Sequence, residues 1–475
     1  MYIDGCWVES ETGDRFKSYN PASGEIIGEV PDGTASDTNK AIQAASNAFA
    51  GWSSLTAYQR AEFLYECHSL MIDNLETLAE VMTEEQGKPL RAARNEVRYG
   101  ADFLQWFAEE AKRVYGRTIP SARTDQRFIT IRQPVGIVAA ITPWNYPISM
   151  ITRKAAPALA AGCTIVVKPA EATPLCAKAV FEIFDKAGLP PGVANLITAQ
   201  DPEPVGAAMM GSPEVKKLTF TGSTEVGRLL AREAGFQLKR ISLELGGHAP
   251  YIVCRDADPV HAAKGLVLVK FLNTGQACIS PNRVYVHEDM MEPFVGELKK
   301  RVEQFKVGSG LDSAVKIGPL VNREEYLKID AQVRDALDKG ATLVAGGTRL
   351  TDNNLHKGYF YAPTILSDVN ASMKIYREET FGPVAPIITY RDEDTIVENA
   401  NDTNYGLAAY VYTRDLSKAF TIAERLNFGI IGINDINPTS VAAPFGGMKD
   451  SGIGREGATE GIEEYLEVKS CGFSI

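Results

Sequence analysis

The feature that most constrains this chain is a change of texture at Arg132. From there, short β-branched runs alternate with helical patterns: PVGIVAAIT, an Ala-rich segment, CTIVVKPAE, Pro174 to Ala187, VANLITA and VKKLTFTGS. Such alternation calls for crossover helices and a parallel sheet, because parallel strands cannot be joined by tight turns. A dinucleotide-binding type of α/β domain fits this series. A second series begins after Gly247 with PYIVC, an apolar helix from Pro259 to Thr274, NRVYVH and a helix from Met290 to Phe305. It continues through ATLVAGG, APIITY, GLAAYVYT and GIIGIN, and predicts a second α/β unit. Residues 36–112 repeat apolar positions at three- and four-residue spacing and read as helical. Two alternating strands, RFITIR (Arg127 to Arg132) and EYLEVK (Glu464 to Lys469), belong to neither unit and need a partner, within the chain or from another subunit.

Charge narrows the partners. Lys and Arg number 49 against 60 Asp and Glu, a net charge of −11, so the overall field repels nucleic acid and anionic membrane surfaces. An anionic ligand therefore needs a local cationic pocket. The start, MYIDGCWVESETGD, has neither a basic nor an apolar leader segment, and no run approaches the ~18 apolar residues of a membrane span. The seven cysteines are scattered without a C-x-x-C pair, which points to reduced thiols and a cytoplasmic protein. The five histidines show no metal spacing, so no metal site is expected.

Three local patterns bear on chemistry. Gly452 to Gly457 fits G-x-G-x-x-G literally, but no clear strand precedes it and only eighteen residues follow, so a turn-rich loop is the better reading. Gly222-Ser-Thr-Glu-Val-Gly227 follows the strand KKLTFT and opens a helical run, where backbone amides could face a phosphate. It lacks the Lys-Ser/Thr ending of a nucleotide-hydrolysing loop. Cys278, in FLNTGQACISPNR, lies beyond an apolar helix and beside Gly275; a cysteine taken alone is more often a small buried hydrophobe than a nucleophile. Glu244, in RISLELGGHAP, ends an apolar strand at a Gly-Gly bend. Partial desolvation there would raise its pKa toward that of a useful base, whereas a helix cap or surface ion pair is the bland alternative.

The segments TPWNYP, KPAEATP, FTGSTEVG, LELGGHAP, NTGQACIS, EETFGP and PFGGMKDSGIGRE occur in this order along nearly the whole chain. Together they resemble the aldehyde dehydrogenase superfamily, and ITRKAAPALAAGCTIVVKPAE, KLTFTGSTEVGR and GIEEYLEVK resemble its succinate-semialdehyde dehydrogenase group. The resemblance implies a Rossmann-type cofactor domain (1–117 and 135–246), an α/β catalytic domain (247–446) and a bridging oligomerisation region (118–134 and 462–475), assembled as a homodimer or homotetramer in which the two bridging strands extend a partner's sheet.

It also implies roles, residue by residue. Cys278 matches the nucleophile, Asn145 a donor to the oxyanion, and Glu244 the base that activates water against the thioester. CoA-acylating relatives generally lack that glutamate, which favours hydrolysis. The cofactor positions are Ile141, Thr142, Pro143, Trp144, Lys168, Glu171, Gly222, Ser223, Leu245, Glu379 and Phe381. Glu171 adds a physical inference: a carboxylate accepts bonds from ribose hydroxyls but repels the 2′-phosphate of NADP, which predicts NAD. For the substrate, Arg153, Tyr146, Thr439 and Phe445 match the pocket. The group usually holds a distal carboxylate with two arginines, and Leu272 stands at the second position. A small aldehyde bearing a distal acid is expected, succinic semialdehyde first, with glutarate semialdehyde, sulfolactaldehyde and lactaldehyde open. The alternative for Arg153 is an internal salt bridge. Ser280 replaces a second cysteine that could form a redox disulfide, and His248 reads as a surface or supporting residue. A cysteine hydrolase using Cys278 and Glu244, or a non-catalytic binding protein, is the competing class.

Overall fold

The β-branched runs after Arg132 become the strands Ile137–Ile141, Thr164–Lys168, Ala194–Leu196, Val215–Thr221 and Arg240–Glu244, all mutually parallel. The computed structural model describes residues 1–475. In space these strands run third, second, first, fourth, fifth, the doubly wound order, and short antiparallel strands extend them to an eight-stranded sheet. Gly452–Ile453 pairs beyond Arg240–Glu244 at one edge. Tyr2–Ile3 and Cys6–Trp7, which sequence patterning does not pick out, close the other.

Alternate residues of the central strands face two different cores. Val138, Ala140, Ile165 and Val167 join one large cluster, and Ile137, Ala139 and Val166 join the other, as the two-residue period of a strand requires. The helical stretch resolves into Ala35–Ser54, Ala57–Asp73, Leu75–Gln86 and Leu90–Glu110. Thr34 with Asp37, and Thr56 with Gln59, make capping boxes that set the first two starts. Helix Ser149–Ala161 is buried along its whole length beneath these helices, including Arg153 and Lys154. No helix is long and apolar enough to cross a membrane.

The second unit is a seven-stranded sheet, ordered Thr342–Ala345, Thr364–Ser367, Val384–Tyr390, Pro281–His287, Ala249–Val253, Ala408–Tyr412, Ile430–Ile433. Six strands are parallel; Thr342–Ala345, within ATLVAGG, is an antiparallel edge strand. Two expected helices are shorter than their apolar runs. Met291–Val302 stops before Phe305, and Pro259–Lys270 stops before Thr274 because Asn273, Thr274 and Gly275 all adopt left-handed backbone conformations.

The strands outside both units find each other. Gln126–Pro134 pairs antiparallel with Leu466–Ser474 on one side and Arg117–Ile119 on the other. RFITIR thus finds partners within the chain, although Arg117–Ile119 covers only Phe128 to Thr130 and leaves Ile131 to Pro134 unpaired on that side. Leu466–Ser474 and Arg117–Ile119 are the outer strands of this three-stranded sheet, each with an open side.

Helix Pro259–Lys270, which leads to Cys278, lies close on the second sheet because residue 265 is glycine. A Cβ there would fall 2.0 Å from the Tyr412 hydroxyl and 2.8 Å from that of Tyr251. Gly265→Val should therefore destabilise the protein by roughly 1–3 kcal/mol, read as a lower thermal unfolding midpoint. An unchanged midpoint would show that the helix can lift off its sheet without cost.

Candidate active site

In an open α/β sheet the ligand crevice lies beyond the carboxyl ends of the strands, where the strand order reverses. Here that point falls between Ile137–Ile141 and Val215–Thr221. The first strand runs out into Thr142, Pro143, Trp144 and Asn145, and the second into Gly222 and Ser223. Two hydroxyls at these ends, Thr142 Oγ1 and Thr221 Oγ1, are buried without a hydrogen-bond partner.

Arg240–Glu244 ends beside this crevice and passes through Leu245, Gly246 and Gly247 into the second sheet. Gly247 lies directly on the loop that carries Cys278: a Cβ there would sit 2.2 Å from the Cys278 carbonyl oxygen. Glu244 and Cys278 are thus held in adjoining backbone segments. Glu244 is 4 % exposed, and neither carboxylate oxygen has a hydrogen-bond partner. Burial, reinforced by the nearby Glu456 carboxylate, pushes its pKa well above the carboxylate range, against the pull of Arg153 and Lys154. The helix-cap and surface-pair alternatives do not apply. Gly446 closes over this carboxyl, since a Cβ there would come within 2.9 Å of Oε1.

The loop before Cys278 is an anchored, strained turn. Asn273, Thr274 and Gly275 have φ of 50°, 59° and 75°. At Gly275 a Cβ would fall 2.1 Å from the Gly382 carbonyl oxygen, so only glycine fits. Thr274 Oγ1 accepts from the Gly318 amide (3.1 Å) and Gln276 Oε1 from that of Val321 (3.0 Å). Asn145 reaches in from the first unit, its Nδ2 donating to the Gln276 carbonyl (3.1 Å) two residues before Cys278. Burial, with the charges of Glu244 and Glu379, pushes the Cys278 thiol up to about 12; Arg153 opposes them.

The expected cofactor residues line the same crevice in two groups. Lys168 Nζ pairs with Glu171 (3.2 Å), the lysine buried and the carboxylate half exposed. The Gly222 amide is already taken by the Glu244 carbonyl (3.0 Å), and Ser223 Oγ caps the helix by accepting from Val226 (3.3 Å). An anion would therefore meet the first-turn amides of helix Thr224–Phe236 rather than Gly222. Leu245 packs under that helix, where Gly227 leaves room. At the other end, Glu379 Oε1 accepts from the Gly247 amide (2.9 Å), and burial raises its carboxyl to about 7. The Phe381 ring stands edge-on to Trp144 with centroids 5.5 Å apart. Ile141 and Pro143 are half buried on the crevice wall.

Among the expected substrate residues, Arg153 is 2 % exposed, and its Nε lies 2.6 Å from Glu456 Oε2. Its guanidinium stacks 3.8 Å from the Phe445 centroid. Lys154 Nζ holds the other Glu456 oxygen at 2.5 Å. Arg153 is therefore ion-paired, yet its Nη2 is buried with no hydrogen-bond partner. Tyr146 is half buried with Lys88 Nζ over its ring, while Thr439 donates to Asn437 Oδ1 (3.0 Å) at the rim and Leu272 is exposed. His248 is not at the surface: it is 1 % exposed, with Nε2 2.9 Å from the Tyr376 carbonyl oxygen.

Sequence reasoning missed Glu456, inside the G-x-G-x-x-G segment, and Tyr99, whose phenol burial pushes up while the nearby Arg153 charge pulls it down. It also missed Asn273, Lys88 and Glu96. A buried acid is invisible in a turn-rich string, although the adjacent cations of ITRK are a hint that one is needed. Cys254, Asp256 and Glu393 also cluster, but the Lys418 ammonium lies 3.2 Å from Asp256 and 2.6 Å from Glu393.

The profile of the aldehyde dehydrogenase family matches residues 7–471. The chain is 48 % identical over 468 residues to a glutarate-semialdehyde dehydrogenase of Pseudomonas aeruginosa, covering 98 % of this chain and 96 % of that one. It is also 48 % identical over 467 residues to the NADP(+) succinate-semialdehyde dehydrogenase of Escherichia coli, with the same coverage. The crystal structure of a succinate-semialdehyde dehydrogenase from Burkholderia pseudomallei superposes with a TM-score of 0.98 at 44 % identity, covering all of this chain and 97 % of that one.

If Glu244 is the expected base, it must be deprotonated to act, and because its pKa is raised, activity should climb with pH through a range above that of an ordinary carboxyl. A pH profile of aldehyde oxidation should show this acid limb, and Glu244→Gln should lose it along with most of kcat. An acid limb that persists in Glu244→Gln would assign it to another group. The near-complete match in sequence and superposition makes this chain a member of the aldehyde dehydrogenase family.

Proposed function

We propose that the protein oxidises a small aldehyde carrying a distal acid group to its carboxylic acid, with water as the acyl acceptor. Succinic semialdehyde is the first choice and glutarate semialdehyde the second. The observation that carries this reading is the Glu244 carboxyl, buried, unpartnered and adjoining the nucleophile loop. Cys278, its thiol proton given up to water, attacks the aldehyde carbon through Sγ as the thiolate. The resulting oxyanion is held by Asn145 Nδ2 and the Cys278 amide, and losing one such donor typically costs about 2.7–4 kcal/mol of barrier. Once the substrate has given up its hydride, Cys278 carries a thioester. Glu244 takes a proton from water, which attacks that thioester and frees the acid and the thiol. The same carboxyl gives this site a reason to hydrolyse rather than pass the acyl group to another thiol.

The residues fit a nicotinamide dinucleotide. Orphaned hydroxyls of Thr142 and Thr221, an open helix start, the Lys168–Glu171 pair and the buried Glu379 line one crevice. When bound, that group supplies the hydride acceptor. Lys168 and Glu171 would hold its adenosine ribose, the helix start its pyrophosphate, and Glu379 with Phe381 its nicotinamide ribose. Glu171, half exposed beside Lys168, supports NAD over NADP, because its charge would face the 2′-phosphate. The named cofactor of the Escherichia coli relative is NADP(+). The wild type should show a higher kcat/KM with NAD, and Glu171→Ser should shift that ratio toward NADP. A wild type that prefers NADP would refute the argument.

Arg153 supports an anionic substrate through its unpartnered Nη2. Glu456 is shared with Lys154 and so leaves part of the arginine charge uncompensated. Phe445 and Tyr146 would flank a short aliphatic body, with Thr439 at the rim. Open edges on Leu466–Ser474 and Arg117–Ile119 support a homodimer or homotetramer. Across three- to six-carbon aldehydes, Arg153→Ala should cost acid-bearing substrates roughly 2–5 kcal/mol in kcat/KM and spare neutral ones. Equal losses for both classes would make Arg153 a structural partner of Glu456 only.

A further inference from the structure

The amide that would meet the oxyanion hangs from a backbone gripped by a buried ion pair, and sequence motifs give no hint of it. Lys88 and Glu96 are 1 % and 4 % exposed and in direct contact through Nζ and Oε2. Lys88 Nζ also donates to the Asn145 carbonyl (2.8 Å) and lies 4.1 Å from the centroid of the Tyr146 ring. The same carbonyl accepts from Asn273 Nδ2 (2.9 Å), in the strained turn before the nucleophile. Beyond Asn145, Glu96 Oε1 accepts from the Ile148 amide (3.1 Å) and the Ser149 amide (3.2 Å), at the start of helix Ser149–Ala161. The short segment from Asn145 to Ser149 is thus fixed at both ends by one pair of charges.

We infer that Lys88 is a positioning residue: through the Asn145 carbonyl, and with Glu96 as its counter-ion, it aims the Asn145 side-chain amide at the oxyanion. The inference rests on the reading of Asn145 as an oxyanion donor. A charged donor to a backbone carbonyl makes a stronger restraint than a neutral one, and the pair is dry, so it holds its geometry without competition from water. Because a shift of about 1 Å in a reacting group can cost about 100-fold in rate, small losses of aim should be measurable.

The test compares two reactions of Cys278. Attack on p-nitrophenyl acetate forms a sulfur–carbon bond through a tetrahedral oxyanion and expels p-nitrophenolate. Alkylation by iodoacetamide forms a sulfur–carbon bond with loss of iodide and no oxyanion. The ratio of the two rates cancels changes in thiol reactivity. In Lys88→Met the ratio should fall roughly 10- to 100-fold, with the cofactor Kd unchanged. Lys88→Met combined with Glu96→Leu removes both charges, leaves no buried ion unpaired, and should show the same fall. Added to Asn145→Ala, Lys88→Met should lower the ratio no further. A ratio that drops in Asn145→Ala but not in either Lys88 variant would overturn the positioning role alone. A ratio unchanged in Asn145→Ala would overturn the oxyanion reading beneath it.

Discussion

The closeness of two glycine-bearing backbones governs this active site. Gly247 passes so near the Cys278 carbonyl that a methyl group would overlap it, and Gly275 makes an equally close approach to Gly382. The first contact joins the carboxyl end of the cofactor-type sheet to the loop that opens the strand Pro281–His287 of the second. Because the contact is backbone to backbone, the spacing of the main chains that carry Glu244 and Cys278 is fixed, and only their side-chain rotamers remain to set the carboxyl–thiol distance. Cys278 and Glu244, from two different sheets, therefore share one rigid joint, which suits the proposed reaction in which the first binds the carbonyl carbon and the second activates the water that later attacks it.

Around that joint the charges are arranged unevenly. Glu244 has no partner, whereas Glu456, also buried, has two cations. Burial raises the first and the cations lower the second, so two neighbouring carboxyls are driven to opposite protonation behaviour. Arg153 and Lys154 hold Glu456 ionised, and that fixed negative charge raises Glu244 further. The loop carrying Glu456 is tied back by paired backbone bonds between Phe445 and Glu456 (2.8 and 2.7 Å), so the acid, its cations and the aromatic wall form one structural piece.

The parallel architecture was legible because strands buried on both faces write themselves as β-branched runs, and the order of motifs carried the family. Less legible was whatever depends on pairing across long sequence separations. Tyr2–Ile3 is too short to show a period, yet it completes the first sheet. RFITIR and EYLEVK look alike as exposed strands, and only the fold reveals that they pair with each other. Helix Pro259–Lys270 ends early because three residues turn left-handed, a conformation that Asn and Gly suggest but Thr274 does not. Arg153 was legible as a buried cation needing a partner. That Glu456, the last residue of PFGGMKDSGIGRE, supplies one was not legible, because that segment lies far from Arg153 in sequence and nothing in it marks its acid as buried.

The central claim is that Cys278 carries the acyl group and Glu244 releases it. Intact-mass and peptide mass spectrometry of Glu244→Gln, mixed with cofactor and succinic semialdehyde, tests both halves at once. The account predicts one equivalent of reduced cofactor per site, formed in a burst, together with an acyl adduct on the peptide containing Cys278. Steady turnover without an adduct, or an adduct on any other residue, would contradict it.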